Sequence, residues 1–312
     1  MRKASYSVSI DKLRVCLNAS TDIYNYLKDH YTRYNNEGNR VLDEDNFTLT
    51  FIEEDEHTMR ATLDMRDVGC YYRLGTFTFS NSAKYEGKAF FSFDNSALYR
   101  IYMRQYNGEP INHICDFQMV CEFYGLEFNN ITEIELALDS DYNYIKKVRS
   151  MIKNIDRYDL IINGRRVTND ETLDGYGEYY SRSRVQLSKM PTLYFSQAKE
   201  TDMKMRVYDK ARELSESSPY KMEMMKEWLG WDDISKLYRV EVVMHNTNVR
   251  EFMGRYGDKL VGDFGEHWNI LNLLNSEEFR LAMLLDSAER MIYFHDRKSN
   301  EHISLVEVAT GI

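Results

Sequence analysis

Ile131-Thr132-Glu133-Ile134-Glu135-Leu136-Ala137-Leu138-Asp139 alternates apolar and acidic residues along most of its length. In a strand, successive side chains point to opposite faces, so Ile134, Leu136 and Leu138 turn toward a core while Glu133, Glu135 and Asp139 share the other side. Three aligned carboxylates repel one another unless a cation or basic side chains face them, and hard ions such as Mg²⁺ or Mn²⁺ prefer oxygen ligands. An exposed strand face salt-bridged to its neighbours satisfies the same pattern. The stretch therefore argues for a half-buried strand in a sheet before it argues for a site.

Two later stretches share this design. In Met203-Lys204-Met205-Arg206-Val207-Tyr208-Asp209-Lys210 the apolar side is Met203, Met205 and Val207, so Lys204, Arg206 and Tyr208 project together with Lys210 just beyond. A phenol among cations matters because an unperturbed tyrosine is only about 0.1% ionised at neutral pH, and neighbouring positive charge favours the phenolate. With 24 tyrosines in the chain, a ring used only for packing is the competing reading. In Leu237-Tyr238-Arg239-Val240-Glu241-Val242-Val243-Met244, Arg239 and Glu241 face away from an apolar row. If the three strands are neighbours in one sheet, they assemble carboxylates, a cation-flanked tyrosine and an Arg-Glu pair on one open surface.

Working outward, alternation predicts further strands over 5–17, 47–53, 58–64, 70–79 and 88–93. Helical spacing predicts helices after Ser20-Thr21-Asp22, around 98–105, 111–124, 142–154 and 220–228, and from 268 to 285. The fold class is α+β: a mostly antiparallel sheet core with helices packed on one face. The similar patterning at Ile131 and Leu237 leaves two related lobes open. The division expected is an N-terminal α+β lobe, 1–128, and a lobe carrying the tyrosine and acidic strands, 129–312.

Composition narrows the function classes. Only 3 Pro and 15 Gly in 312 residues, with 43% hydrophobic residues, argue for a chain folded nearly throughout. No apolar run approaches the roughly 20 residues that span a bilayer, and the start MRKASYSVSIDKL lacks a signal-peptide core, so no membrane partner and a cytoplasmic location are expected. The four cysteines, Cys16, Cys70, Cys115 and Cys121, form no C-x-x-C pair and read as buried free thiols. Seven histidines contain no H-x-H and no H-E-x-x-H, so any metal must be held mostly by carboxylates. The net charge of −10 weighs against indiscriminate coating of nucleic acid. Yet 142–212 holds 15 Lys and Arg against 9 Asp and Glu, so one stretch can face an anion. Within it, 164–189, with Arg165, Arg166, Arg182, Arg184 and Lys189, reads as a basic loop or hairpin, or as an ordinary solvated loop.

ITEIELALD from Ile131, TLYFSQ from Thr192, MRVYDK from Met205 and YRVEV from Tyr238 occur in that order. Together they resemble the Rep_trans or replication initiation factor family, the plasmid and mobile-element rolling-circle replication initiators with their related conjugative relaxases. The family pattern is I-T-R-I-D-L-A-x-D, T-L-Y-x-G-S, R-I-Y-D-K and W-R-x-E, and the resemblance covers roughly residues 130–245. Glu133 stands in place of Arg, Glu135 in place of Asp, Ser196 and Gln197 in place of Gly-Ser, and Tyr238 in place of Trp. The resemblance implies that Tyr208 attacks a DNA phosphodiester, leaving a 5′-phosphotyrosine and a free 3′-hydroxyl primer. It further implies a divalent metal, Mg or Mn, on Glu135, Asp139 and Glu241, with Glu133 a weaker candidate. Arg206, Lys210 and Arg239 would offset phosphate charge. The implied partners are DNA, as an origin hairpin or single-stranded nick site, a host helicase and a second copy of the chain. Competing readings are a conjugative relaxase of the same chemistry and a DNA-binding or copy-control protein that does not cleave.

Overall fold

The computed structural model describes residues 4–67, 70–100, 105–106, 109–110, 113–168, 184–189, 191–196, 203–260 and 269–311. β1 (Tyr6–Asn18) leads into α1 (Thr21–Asp29), then β2 (Arg33–Tyr34), β3 (Arg40–Asp43), β4 (Phe47–Glu54), β5 (Thr58–Asp67), β6 (Cys70–Ser80), β7 (Lys88–Phe93) and α2 (Asn95–Arg100). Next come β8 (Gln105–Tyr106), β9 (Glu109–Pro110), α3 (His113–Phe123), β10 (Glu127–Ser140), α4 (Tyr144–Lys153), β11 (Tyr158–Ile162), β12 (Arg165–Val167) and α5 (Arg184–Leu187). The chain continues through β13 (Leu193–Ser196), β14 (Lys204–Asp209), α6 (Lys210–Ser217), α7 (Pro219–Leu229), β15 (Tyr238–His245) and α8 (Asn246–Leu260). It ends with α9 (Asn269–Leu273), α10 (Glu277–Met291), β16 (Ile292–Asp296), β17 (Glu301–Ser304) and α11 (Leu305–Thr310). Eleven strands form one sheet in the order β13-β14-β15-β10-β1-β7-β6-β5-β4-β3-β2, and a four-stranded sheet runs β12-β11-β16-β17. The architecture is α+β with a large antiparallel sheet.

The chain divides into two compact units. One comprises Met1–Ile10, Glu135–Leu260 and Ser276–Ile312; the other comprises Asp11–Ile134 and Val261–Asn275. The second unit is a meander of long strands whose inner face is aromatic: Phe77, Phe91 and Phe93 pack around Phe117 of α3, with ring centroids 4.6 Å apart for Phe91 and Phe117. Such rings bury large apolar areas and hold α3 on the meander.

In the first unit, β14 pairs antiparallel with β13 and β15, setting Tyr194 opposite Arg206, Arg206 opposite Glu241 and Tyr208 opposite Arg239. Directly opposed residues share a face. Leu193, Phe195, Met205, Val207, Val240 and Val242 are all buried and make one side of these three strands apolar throughout. The other side carries Tyr194, Arg206, Tyr208, Arg239 and Glu241. α4 packs against β14, and α8 and α10 pack against β15. Asn143 caps α4, its side chain accepting the Lys146 amide at 3.2 Å.

β10 and β15 are neighbours in one sheet. The helix expected over 268–285 is two helices, because Ser276 caps the second by accepting the Phe279 amide at 3.2 Å. Cys16 and Cys121 are buried free thiols, as read, whereas Cys115 is exposed. Among the described residues no helix is long and apolar enough to cross a membrane.

The basic stretch 164–189 divides by chemistry. Asn163 and Gly164, both at positive φ, form the tight turn between β11 and β12, which sets Arg165 and Arg166 on an exposed strand. Arg182 lies outside the described residues. Arg184 is no solvated charge: it is 2% exposed. Its Nε donates to the Ile152 carbonyl at 2.5 Å and its Nη2 to the Tyr158 carbonyl at 2.7 Å. The first of these carbonyls belongs to the last turn of α4, where helical partners run out. Replacing Arg184 with Leu leaves both carbonyls without that donor, and the melting or urea transition should show a loss of about 3 kcal/mol. A loss under about 0.5 kcal/mol would show that Arg184 does not fasten α4.

Candidate active site

The β14–β15 register brings the polar residues of both strands against the acidic end of β10. Arg239 makes a two-pronged ion pair with Asp139: Nε to Oδ1 at 2.7 Å and Nη2 to Oδ2 at 2.7 Å. Its Nη1 reaches Oε1 of Glu241 at 3.3 Å. The same Oε1 accepts the Tyr208 hydroxyl at 2.6 Å. Arg206 then links Oε2 of Glu241, at 2.5 Å, to Oε1 of Glu135, at 2.7 Å. The result is a chain of alternating charge, Asp139–Arg239–Glu241–Arg206–Glu135, with the phenol bonded at its centre.

Two expectations change. The polar side of these strands is open only in part: Asp139 and Arg239 are wholly buried and Glu241 is 2% exposed, while Arg206 keeps an exposed side chain. Alternation specifies which side a residue takes but not what covers that side. Nor is Tyr208 poised as a phenolate. Burial, reinforced by Glu241 and opposed by Arg239, pushes its hydroxyl well above the usual phenol range. The cations flanking it in sequence are engaged elsewhere. Lys210 pairs with Glu213 at 2.7 Å and sits 5.6 Å from the centre of the Tyr208 ring, against its face. Arg206 is directed at two carboxylates. Arg239 is enclosed and acts on Asp139 and Glu241, away from any phosphate in solvent.

Of the four acidic candidates, Glu135, Asp139 and Glu241 are brought together and Glu133 is not part of this group. Glu133 belongs to the second unit, where Lys12 pairs with it at 2.8 Å. Both oxygens of Asp139 accept from Arg239, so metal binding there would break a buried ion pair. Glu135 and Glu241 each offer an oxygen, and these two lie within 4.8 Å of each other. Their shared partner, Arg206, has a side chain 44% exposed and so has solvent to swing into. Three carboxylates facing two guanidiniums leave one negative charge in excess within the group. This oxygen pair, now bridged by Arg206, is of the kind that could hold a hard divalent ion.

Tyr208 and Arg206 also line a cavity of about 650 Å³, with Arg149, Lys189, Pro191, Thr192, Tyr194, Asp209 and Arg212 among its walls. Asp209 is the N-cap of α6, its Oδ1 accepting the Arg212 amide at 2.9 Å, so the strand ends and the helix begins one residue after the phenol. Arg149 escaped the reading of the sequence. Its signal was the single arginine on a helix whose opposite side is apolar, which is also the signature of an ordinary surface residue. Gln197, the last residue of the TLYFSQ motif, lies outside the described residues.

Removing one member of a buried ion pair leaves its partner uncompensated. Arg239→Met should cost about 3–5 kcal/mol in urea unfolding, and adding Asp139→Leu should recover most of that loss. A single variant as stable as the wild type would show that the pair does not support the fold.

No family model matches the chain, and no curated protein matches it. Among solved structures the chain is similar to a rolling circle replication initiator protein from Geobacillus stearothermophilus, at 14% sequence identity and a TM-score of 0.45. That similarity covers 95% of this chain and 89% of the other.

Proposed function

We propose that the chain is a rolling-circle replication initiator that nicks one DNA strand through Tyr208. The observation that carries this reading is the hydrogen bond from the Tyr208 hydroxyl to Glu241, 2.6 Å long, beside a cavity open to Arg206. The motifs that resemble the Rep_trans family lie on β10, β13, β14 and β15, and the adjacency of these strands supports the resemblance.

The geometry favours a base-assisted attack over a pre-ionised nucleophile. Glu241 accepts the phenolic proton as the phenol oxygen bonds to phosphorus and the bond from phosphorus to the 3′ oxygen breaks. The departing oxygen takes a proton from solvent and becomes the 3′-hydroxyl, while the 5′ phosphate stays on the tyrosine. The new ester conserves the energy of the broken bond, so rejoining needs no nucleotide cofactor. A divalent ion held by Glu135 and Glu241 would supply charge stabilisation for the phosphoryl and leaving oxygens. Asp139 positions Arg239, Arg239 steadies Glu241, and Lys210 covers the ring face. Arg206, displaced from the carboxylates, is in reach of the cavity and its phosphate.

A conjugative relaxase would use the same chemistry and differ only in its DNA. The burial of Tyr208, 9% exposed, favours a second reading, a DNA-binding protein that does not cleave. The two separate in one experiment, in which the protein is incubated with labelled hairpin and single-stranded oligonucleotides and Mn²⁺ and covalent peptide–DNA products are sought by mass spectrometry. Wild type should give an adduct on Tyr208, and Tyr208→Phe should reduce it by about 10³-fold or more. DNA binding with no adduct under any metal would establish the second reading. EDTA should abolish cleavage, and Glu135→Gln should slow it at least about tenfold. Undiminished nicking in EDTA would leave the carboxylates as a purely structural network.

A further inference from the structure

A second cavity, of about 550 Å³, shares no wall residue with the one beside Tyr208 and lies entirely within the first unit. Three segments build it: Ala4 and Ser5 ahead of β1, Asp141 and Tyr142 between β10 and α4, and the connection from α7 to β15 at Gly230–Asp233 and Lys236. Each is fixed locally. Gly230 ends α7 in the left-handed region at φ 62°, and the Trp231 amide donates back to the Lys226 carbonyl at 3.3 Å. Asp233 Oδ1 accepts the Ser235 amide at 2.8 Å, and the buried Ile234 anchors the loop. Asp141 and Ser5 are joined twice, the Asp141 Oδ1 accepting the Ser5 amide at 3.0 Å and the Asp141 amide donating to the Ser5 carbonyl at 3.1 Å.

The wall combines rings with negative charge. Trp231 is half-buried and Tyr142 is 45% exposed, so two aromatic surfaces meet solvent here. Asp141, Asp232 and Asp233 stand against a single cation, Lys236, which leaves two negative charges in excess. The bond from the Ser235 amide holds the Asp233 carboxyl below its ordinary range, so it is ionised at neutral pH. Among the described residues these three carboxylates do not converge to within 4.8 Å, as the ligands of a bare metal ion would. Their charge is spread around a space whose volume is that of a small-molecule site, roughly 300–1,000 Å³. The complement is a molecule with separated positive charges on an apolar stem. An ammonium gains from the face of a tryptophan or tyrosine ring, and a methylene chain covers the apolar surface between charges.

We propose that this cavity binds an aliphatic polyamine, its ammonium groups on Asp141, Asp232 and Asp233 and its methylenes against Trp231 and Tyr142. A diamine matches the excess of two charges. The site is independent of the nicking reading, since it takes a cation and uses none of the residues around Tyr208.

The test is isothermal titration of the full chain with putrescine, spermidine and, separately, Mg²⁺, in about 150 mM salt, where diffuse attraction to exposed charge is screened. Both amines should bind with one molecule per chain, and Mg²⁺ should neither give a comparable heat nor displace them. Trp231→Ala should weaken binding by about 2- to 30-fold, and Trp231→Phe should restore part of that loss. Asp232→Asn and Asp233→Asn should each weaken it by up to about fivefold, while Lys236→Gln should tighten it. Glu301→Gln, at an exposed acid of β17 outside the wall, should change nothing. Asp232 and Lys236 are exposed, so their variants still decide the matter if circular dichroism shows that Trp231→Ala unfolds. Absence of saturable amine binding would overturn the proposal, as would unchanged affinity in folded Trp231→Ala or an equal loss in Glu301→Gln and Asp232→Asn. A lysine-rich peptide that binds at least about tenfold more tightly than spermidine through the same residues would overturn it too, assigning the cavity to a protein partner.

Discussion

The organisation of the site depends on a guanidinium held wholly inside the protein. Arg239 bridges Asp139 on β10 and Glu241 on its own strand, and the two-pronged geometry leaves it little freedom. Taking such charges out of water costs several kcal/mol per ion, so the arrangement persists only because each member is matched. Glu241 is thereby fixed in orientation. Its two oxygens then determine where the Tyr208 hydroxyl and the Arg206 guanidinium lie. The network also specifies strand register, because a slip of one residue would turn Arg239 to the apolar side and bring a valine to face Asp139.

The same network separates what was legible in the sequence from what was not. The period-two patterns of Ile131–Asp139, Met203–Lys210 and Leu237–Met244 identified the strands and the side each residue takes, and a wrong period would have scattered Glu135, Arg206, Tyr208 and Glu241. Burial of the polar side was not legible, since it depends on what lies over the sheet. Burial consequently outweighs the neighbouring positive charge, and the Tyr208 hydroxyl moves up and not down. Local signals were also passed over. Asn163-Gly164 is a strong turn signal between two strand segments, and Asp209, followed by a helical run, is an N-cap. Arg184 read as one more loop charge because sequence does not disclose the helix carbonyls waiting for it. Arg149 was illegible for the opposite reason: a lone arginine on an amphipathic helix gains meaning only from the cavity it enters.

On the proposed nicking reading, the buried phenol and the accessible cavity would meet two requirements of a single chemistry. A nucleophile kept protonated and bonded to a carboxylate resists adventitious reaction, and a proton acceptor already in contact removes any need for prior ionisation. The cost is that the hydroxyl must be presented to a phosphate from within a charged network. Arg206 is the component able to yield, being partly exposed and common to Glu135 and Glu241.

The junction at Asp209 limits how that presentation can happen. Tyr208 is hydrogen-bonded into β14 opposite Arg239, and the next residue already closes the first turn of a helix. The main chain at this point is therefore pinned from two directions and cannot carry the ring outward by bending. Reorientation is confined to the two side-chain torsions of the tyrosine, a pivot with a fixed foot. A DNA strand joined to that oxygen would be tethered to the rigid sheet by a swivel only one side chain long, which keeps the cut end within reach for resealing.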